Sequence, residues 1–224
     1  EGSRRGSNVR RSRGFTIIEL AVVLAIIAVI STLAYTGLQR LRPRANYDSA
    51  VGELQALLHL ARQTALASGD DVVVMFFPDQ ATADSAGRVI VYQDRAFDLF
   101  VGLLGSTFAA YDPVAQPVTG QSEILGTLDL PRGVTFGPST GFGTALQPPL
   151  AGIVVNRACS FCTTGGDHRG AIRYDARGFP TFYDTAGTVA VQGGASVTLT
   201  HADLGSVLSV VVTTPAGAVM TFKK

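Results

Sequence analysis

The 224-residue sequence is poor in charge, cysteine and histidine, and it has one strongly apolar run. Charged residues make up 16 % of the chain and hydrophobic residues 46 %, the reverse of a disordered polymer, so most of it packs. The length suffices to bury a real core, as one large domain or as one domain with an accessory segment. Two cysteines, Cys159 and Cys162, cannot staple a disulfide-rich scaffold. The three histidines, His59, His168 and His201, fall on a helix face, in a loop and at a strand edge, with no spacing that marks a catalytic base. Excess positive charge is also missing. The net charge of +1 splits into +4 for residues 1–14, where Arg4, Arg5, Arg10, Arg11 and Arg13 face only Glu1, and −3 for the remainder. That balance excludes a generally basic nucleic-acid binder and leaves room only for a local patch. No internal repeat is visible.

What is present begins at Phe15. From there to Tyr35 the only charge is Glu19, and about 20 such residues span a hydrocarbon core of about 30 Å. The arginines before the run stay on the cytoplasmic side, so the bulk of the chain emerges on the opposite face, the periplasm in a bacterium. A charge within a membrane helix costs roughly 2.5–3.5 kcal/mol, which makes Glu19 a functional candidate; the competing reading is a carboxylate hydrated near the interface. A secretory signal peptide is the other reading of the segment, with Arg10-Arg11-Ser12-Arg13 as its basic region and a weak cleavage site after Ala34. Glu19 is out of place in such a signal.

Beyond Gly37 the pattern becomes amphipathic. Tyr47, Val51, Leu54, Leu58, Ala61 and Ala65 recur at helical spacing and predict one buried stripe, with a stop at Ser68-Gly69-Asp70. A single helix from Phe15 to about Ala67 would measure roughly 80 Å. Pro43 is expected to bend or interrupt it. After Gly69, short β-type runs predict strands at Val72–Phe77, Arg88–Gln93, Ile124–Leu130, Val134–Phe136, Ile153–Asn156, Ala171–Asp175, Thr181–Tyr183, Thr188–Val191, Val197–Thr200, Val207–Thr213 and Val219–Phe222. Thr214–Ala218 is a hairpin loop. Gln93–Gln121 reads as a long insertion in which Leu99–Leu104 is a short helix or strand. The expected architecture is α+β, a long N-terminal helix packed on an antiparallel sheet or sandwich. Its segments are residues 1–14, an apolar helix 15–36, an amphipathic half 37–68 and a β-rich domain 69–224.

Three further motifs carry chemistry. Cys159-Ser160-Phe161-Cys162 fits a disulfide bracing a turn in an oxidising compartment, a redox pair or half a metal site. A redox pair needs a βαβ setting, and zinc needs four ligands where only His168 is near, so the disulfide is the plain expectation and no metal or cofactor is expected. Gly137-Pro138-Ser139-Thr140-Gly141 has the G-x-S-x-G form, but the residues after it make a poor helix, and a turn rather than a hydrolase elbow is expected. No catalytic residue is assigned. Arg157, His168, Arg169, Arg173 and Arg177 lie in one region and Lys223-Lys224 end the chain; should they meet, they form a phosphate-contacting patch. Asp167, Asp175 and Asp184 are interleaved, which favours scattered solvated charges.

The run Arg13-Gly14-Phe15-Thr16-Ile17-Ile18-Glu19-Leu20, continuing to Ile30, resembles the processing site and first helix of type IV pilins and type II secretion pseudopilins. The resemblance implies a pilin-like fold, cleavage between Gly14 and Phe15 by a prepilin peptidase, N-methylation of Phe15 and removal of residues 1–14. It also implies that Glu19 neutralises the new amine, commonly a neighbour's, as subunits leave the inner membrane and join a filament. Leu60–Ala65, Ile172–Asp175 before Gly178 and the terminal strand pair are similar to the minor subunits of the GspH and FimT type, which implies a place at or near the filament tip. Some minor pilins serve DNA uptake, so DNA is the second partner considered. Major pilins often carry a proline near the position of Thr36, whereas the first helical proline here is Pro43.

Overall fold

The computed structural model describes residues 15–81, 86–95, 98–103, 108, 110–111, 123–137, 146, 148, 150–155, 157–163, 168–189, 191, 193–201 and 203–223. The chain divides into two compact units, Glu1–Arg42 and Pro43–Lys224. One helix, α1 (Ile17–Ser68), contributes to both. Pro43 lies inside it without ending it, contrary to one of the two outcomes expected for that residue. A proline deprives the carbonyl four residues earlier of its donor. The turns that follow are nevertheless held by packing, because Tyr47, Ala50, Val51, Leu54, Leu58, Ala61 and Ala65 are all buried. Every member of the stripe read from the sequence is among them.

The second unit is a ten-stranded, mostly antiparallel sheet: β1 (Asp71–Ala81), β2 (Ala86–Asp94), β3 (Glu123–Asp129), β4 (Val134–Phe136), β5 (Gly170–Tyr174), β6 (Pro180–Tyr183), β7 (Thr188–Val189), β8 (Gly194–His201), β9 (Ser206–Thr213) and β10 (Val219–Lys223). The order is β10-β9-β8-β4-β2-β1-β5-β6-β7, with β3 paired to β2 off that path. The two halves of the sheet are joined at β2 and β4 by a single parallel pair, Ala86 with Thr135. A short helix, α2 (Asp98–Leu103), occupies the expected insertion after β2.

Alternation along the strands builds two cores. Val72, Val74 and Phe76 of β1 and Val89 and Val91 of β2 face α1, together with Ala195, Val197 and Leu199 of β8. The intervening Val73, Met75, Phe77, Ile90 and Tyr92 face a second core closed by Phe100, Phe108 and Tyr111 from the insertion. β1 and β2 are therefore buried on both faces, which explains their unbroken apolar runs. The Tyr47 hydroxyl donates to the Leu199 carbonyl at 3.0 Å and ties α1 to β8.

One strand expectation fails. Ile153, Val154 and Val155 form no strand, and Asn156 lies outside the described residues. Ile153 and Val155 instead pack with Leu146, Leu150 and Val211 as an apolar cover over β9, while the Val154 carbonyl accepts from the Ser196 hydroxyl at 2.5 Å. Burial without pairing produces the same local apolar pattern as a strand.

Candidate functional site

The site begins at the first described residue. Phe15 is exposed, and Gly14 with the rest of residues 1–14 lies outside the described residues. Thr16 precedes the first helical residue, and its hydroxyl accepts the Glu19 backbone N–H at 3.2 Å. Glu19 replies: its Oε2 accepts the Thr16 backbone N–H at 3.2 Å and the Thr16 hydroxyl at 3.1 Å. This is a reciprocal capping box, which satisfies amide donors that a helix start leaves unpaired and sets a carboxylate at the positive end of the helix dipole. The sequence reading missed it, although Thr-x-x-Glu before an apolar run is its signature.

From Ile17 to Tyr35, 19 residues are long and apolar enough to cross a membrane, and none is buried within the structure. Ile17 is 88 % exposed and Ile27 52 %. Side chains this apolar need another environment, lipid or protein, to cover them. The Thr32 hydroxyl is already satisfied, donating to the Ala28 carbonyl at 2.8 Å.

Cys159 and Cys162 are joined as a disulfide, with Cα atoms 5.3 Å apart. Both are buried. The loop is laced to β8 through Ser160 N–H to the Ser196 carbonyl at 2.9 Å and Thr198 N–H to the Ala158 carbonyl at 2.8 Å. Phe161, between the cysteines, packs edge-on against Phe76 at 5.7 Å and beside Phe182 at 5.4 Å. Gly170 makes room for this, since a Cβ there would sit 2.8 Å from the Cys162 sulfur.

The described basic residues differ in burial and in pairing. Arg169 is buried, its guanidinium paired with Asp79 at 2.8 Å, donating to the Phe108 and Tyr111 carbonyls at 2.9 and 2.6 Å, and lying 5.1 Å from the Phe77 ring. It locks the insertion onto the sheet. Its guanidinium is engaged within the chain, which counts against Arg169 as one of the possible DNA contacts. Arg173 is partly buried and pairs with Asp71 at 2.8 Å. Burial opposes its charge, but hydrogen bonds to Asp71 and Tyr183 outweigh that and raise its pKa. Arg177 pairs with Asp175 at 2.9 Å and stacks over Phe179 at 5.0 Å, and its side chain remains 75 % exposed. Arg157 and His168 are exposed, His168 with a left-handed φ of 52°. Lys223 lies in β10, nothing is described of its side chain, and Lys224 lies outside the described residues.

Of the G-x-S-x-G sequence only Gly137 is described; residues 138–145 lie outside. His59 is exposed on α1, whereas His201 is buried, its Nδ1 accepting the Asp203 N–H at 3.2 Å. Among the described residues no group of three or more His, Cys, Asp or Glu could hold a metal ion.

Residues 9–35 match the family model of the prokaryotic N-terminal methylation motif. No curated protein and no solved structure matches the chain. The matched span contains Phe15, the Thr16–Glu19 box and the exposed apolar run, so one segment carries both the recognition signal and the geometry. The N-terminus is thus type IV prepilin-like, on a helix long and apolar enough to cross a membrane, and the motif implies processing by a prepilin peptidase.

Proposed function

We propose that this chain is a minor type IV pilin or type II secretion pseudopilin, cleaved between Gly14 and Phe15, methylated on Phe15, anchored in the inner membrane and then built into a periplasmic or surface filament. The observation that carries the reading is the coincidence, within residues 9–35, of the methylation motif with a helix whose apolar side chains are all uncovered. Lipid covers them before assembly and neighbouring subunits' helices afterwards, so one surface serves both states. Glu19 then has two tasks. It caps its own helix through Thr16, and its charge draws the methylated amine of a neighbouring subunit. The GspH or FimT type, and with it a position near the tip, is supported by the segments at Leu60–Ala65 and Ile172–Gly178. The disulfide of Cys159 and Cys162 belongs to the same picture, because the periplasm is oxidising.

Incorporation of the full chain into filaments tests this reading. Wild-type protein is expected in sheared filament fractions, dependent on prepilin peptidase; protein that is processed but never leaves the membrane would count against it. A DNA-uptake role is the weaker alternative, since Arg169 is buried and Arg173 and Arg177 are paired with carboxylates. Salt-sensitive duplex binding lost on Arg177→Gln would revive it.

A further inference from the structure

Among the described residues, three strands of the second unit have a neighbour on one side only: β3, paired with β2; β7, paired with β6; and β10, paired with β9. Each offers a row of backbone N–H and C=O groups to which another strand can pair, and folded proteins blunt such edges with shortness, charge, proline or a bulge. Two of the three are blunted. β7 is two residues long, and β3 begins at Glu123, ends at Asp129 and meets β2 with a register shift between Val91 and Tyr92. β10 is not. Its five residues, Val219-Met220-Thr221-Phe222-Lys223, keep one unbroken register with β9, include no proline and carry no charge before the last position.

The hairpin fixes which groups face outward. The Thr213 N–H donates to the Ala218 carbonyl at 2.9 Å, and hydrogen-bonded pairs alternate along an antiparallel ladder. Ala218, Met220 and Phe222 therefore turn their backbone groups toward β9, whereas Val219, Thr221 and Lys223 turn theirs to the open edge. Met220, opposite Val211, and Phe222 lie on the face that Leu146, Leu150, Ile153 and Val155 cover. Thr221, opposite Val210, lies on the α1 face. Met220 is 43 % exposed, and Thr221 is exposed as well.

We propose that the β10 edge pairs with β10 of a second copy of this chain, antiparallel and across a two-fold axis at Thr221. The strand is self-complementary in that register. Thr221 faces Thr221 and Val219 faces Lys223, and each of these pairs exchanges both N–H···O bonds through the outward groups. Met220 of each copy falls opposite Phe222 of the other on the same face, a thioether–aromatic contact that covers an exposed methionine. No charge meets a like charge. Because the same patch serves both copies, the contact closes at two rather than growing into a fibre. It involves only the second unit and does not depend on cleavage at Gly14.

Hydrogen exchange at the Val219 amide, in full-length protein in detergent micelles, tests the pairing. That N–H lacks a ladder partner in one copy and gains one in the pair. Wild-type protein is expected to show protection there that increases as subunit concentration rises to the millimolar range. Thr221→Lys sets two like charges opposite each other at the two-fold axis, and Thr221→Glu does so with the other sign. Either variant alone should lose the protection, and an equimolar mixture of the two should regain it. The Met220 amide faces β9 and should stay protected throughout, which confirms that the variants fold. A wild-type Val219 amide that exchanges as an open one at every concentration overturns the proposal by a readout that no substitution touches. Protection retained in Thr221→Lys overturns it too, and loss in both variants without recovery in the mixture overturns the second copy as the partner.

Discussion

Glu19 is assigned two roles that separate by substitution. Thr16→Val deletes the hydroxyl that accepts the Glu19 N–H at 3.2 Å and donates to its carboxylate at 3.1 Å, while leaving the charge in place. Loss of an N-cap costs about 1 kcal/mol, so opening of the first turn should become roughly five-fold more frequent. Glu19→Gln does the converse. Glutamine still serves at the third position of a capping box, so the cap loses only the dipole contribution of roughly 0.3–1 kcal/mol while the charge disappears. Hydrogen exchange at the Glu19 amide, in full-length protein in micelles, reads the cap; sheared filament fractions read assembly. The expected pattern is crossed. Thr16→Val accelerates exchange and keeps most incorporation, whereas Glu19→Gln leaves exchange closer to wild type and loses incorporation. Unchanged exchange in Thr16→Val would refute the cap, and normal incorporation of Glu19→Gln would refute the charge as the assembly element.

Other consequences are as direct. Cys159→Ser with Cys162→Ser should lower stability by about 2 kcal/mol, the loop-entropy value for so short a ring, measurable by denaturant unfolding. Arg169→Met leaves Asp79 and two carbonyls unpaired and should destabilise by about 3 kcal/mol, without changing any affinity for DNA measured alongside. The Asp175 carboxyl is opposed by desolvation but held below its ordinary pKa by the Phe179 N–H and by Arg177. Its stabilisation is therefore present above the usual carboxylate range and lost as pH falls through its lowered pKa, an acid-side dependence that Asp175→Asn should remove. Tyr47 is raised to about 12, chiefly by burial and also by Asp48, so its stabilisation is complete below pH 10 and is lost as pH climbs toward 12. Alkaline unfolding of Tyr47→Phe should lack that component.

The helix and its buried stripe were legible because burial repeats at helical spacing from Tyr47 to Ala65, and the strands because β1, β2 and β9 carry short β-branched apolar runs and β8 alternates apolar with polar residues. Local pattern failed where distant partners decide. Ile153–Val155 looks like a strand, yet its neighbour is the face of β9 rather than another strand's edge. Arg169 reads as a surface cation until Asp79, 90 residues earlier, is brought beside it. The capping box was legible, since Thr16 and Glu19 are three residues apart and precede an apolar run.

The central claim is that Phe15 becomes the N-terminus of a retained helix. Intact-mass and N-terminal peptide mass spectrometry of the protein isolated from membranes tests it most directly. A mature chain beginning at Phe15, heavier by one methyl group on its amine, is the predicted result; a chain beginning at Tyr35 would contradict the account, because the segment would then be a discarded signal peptide.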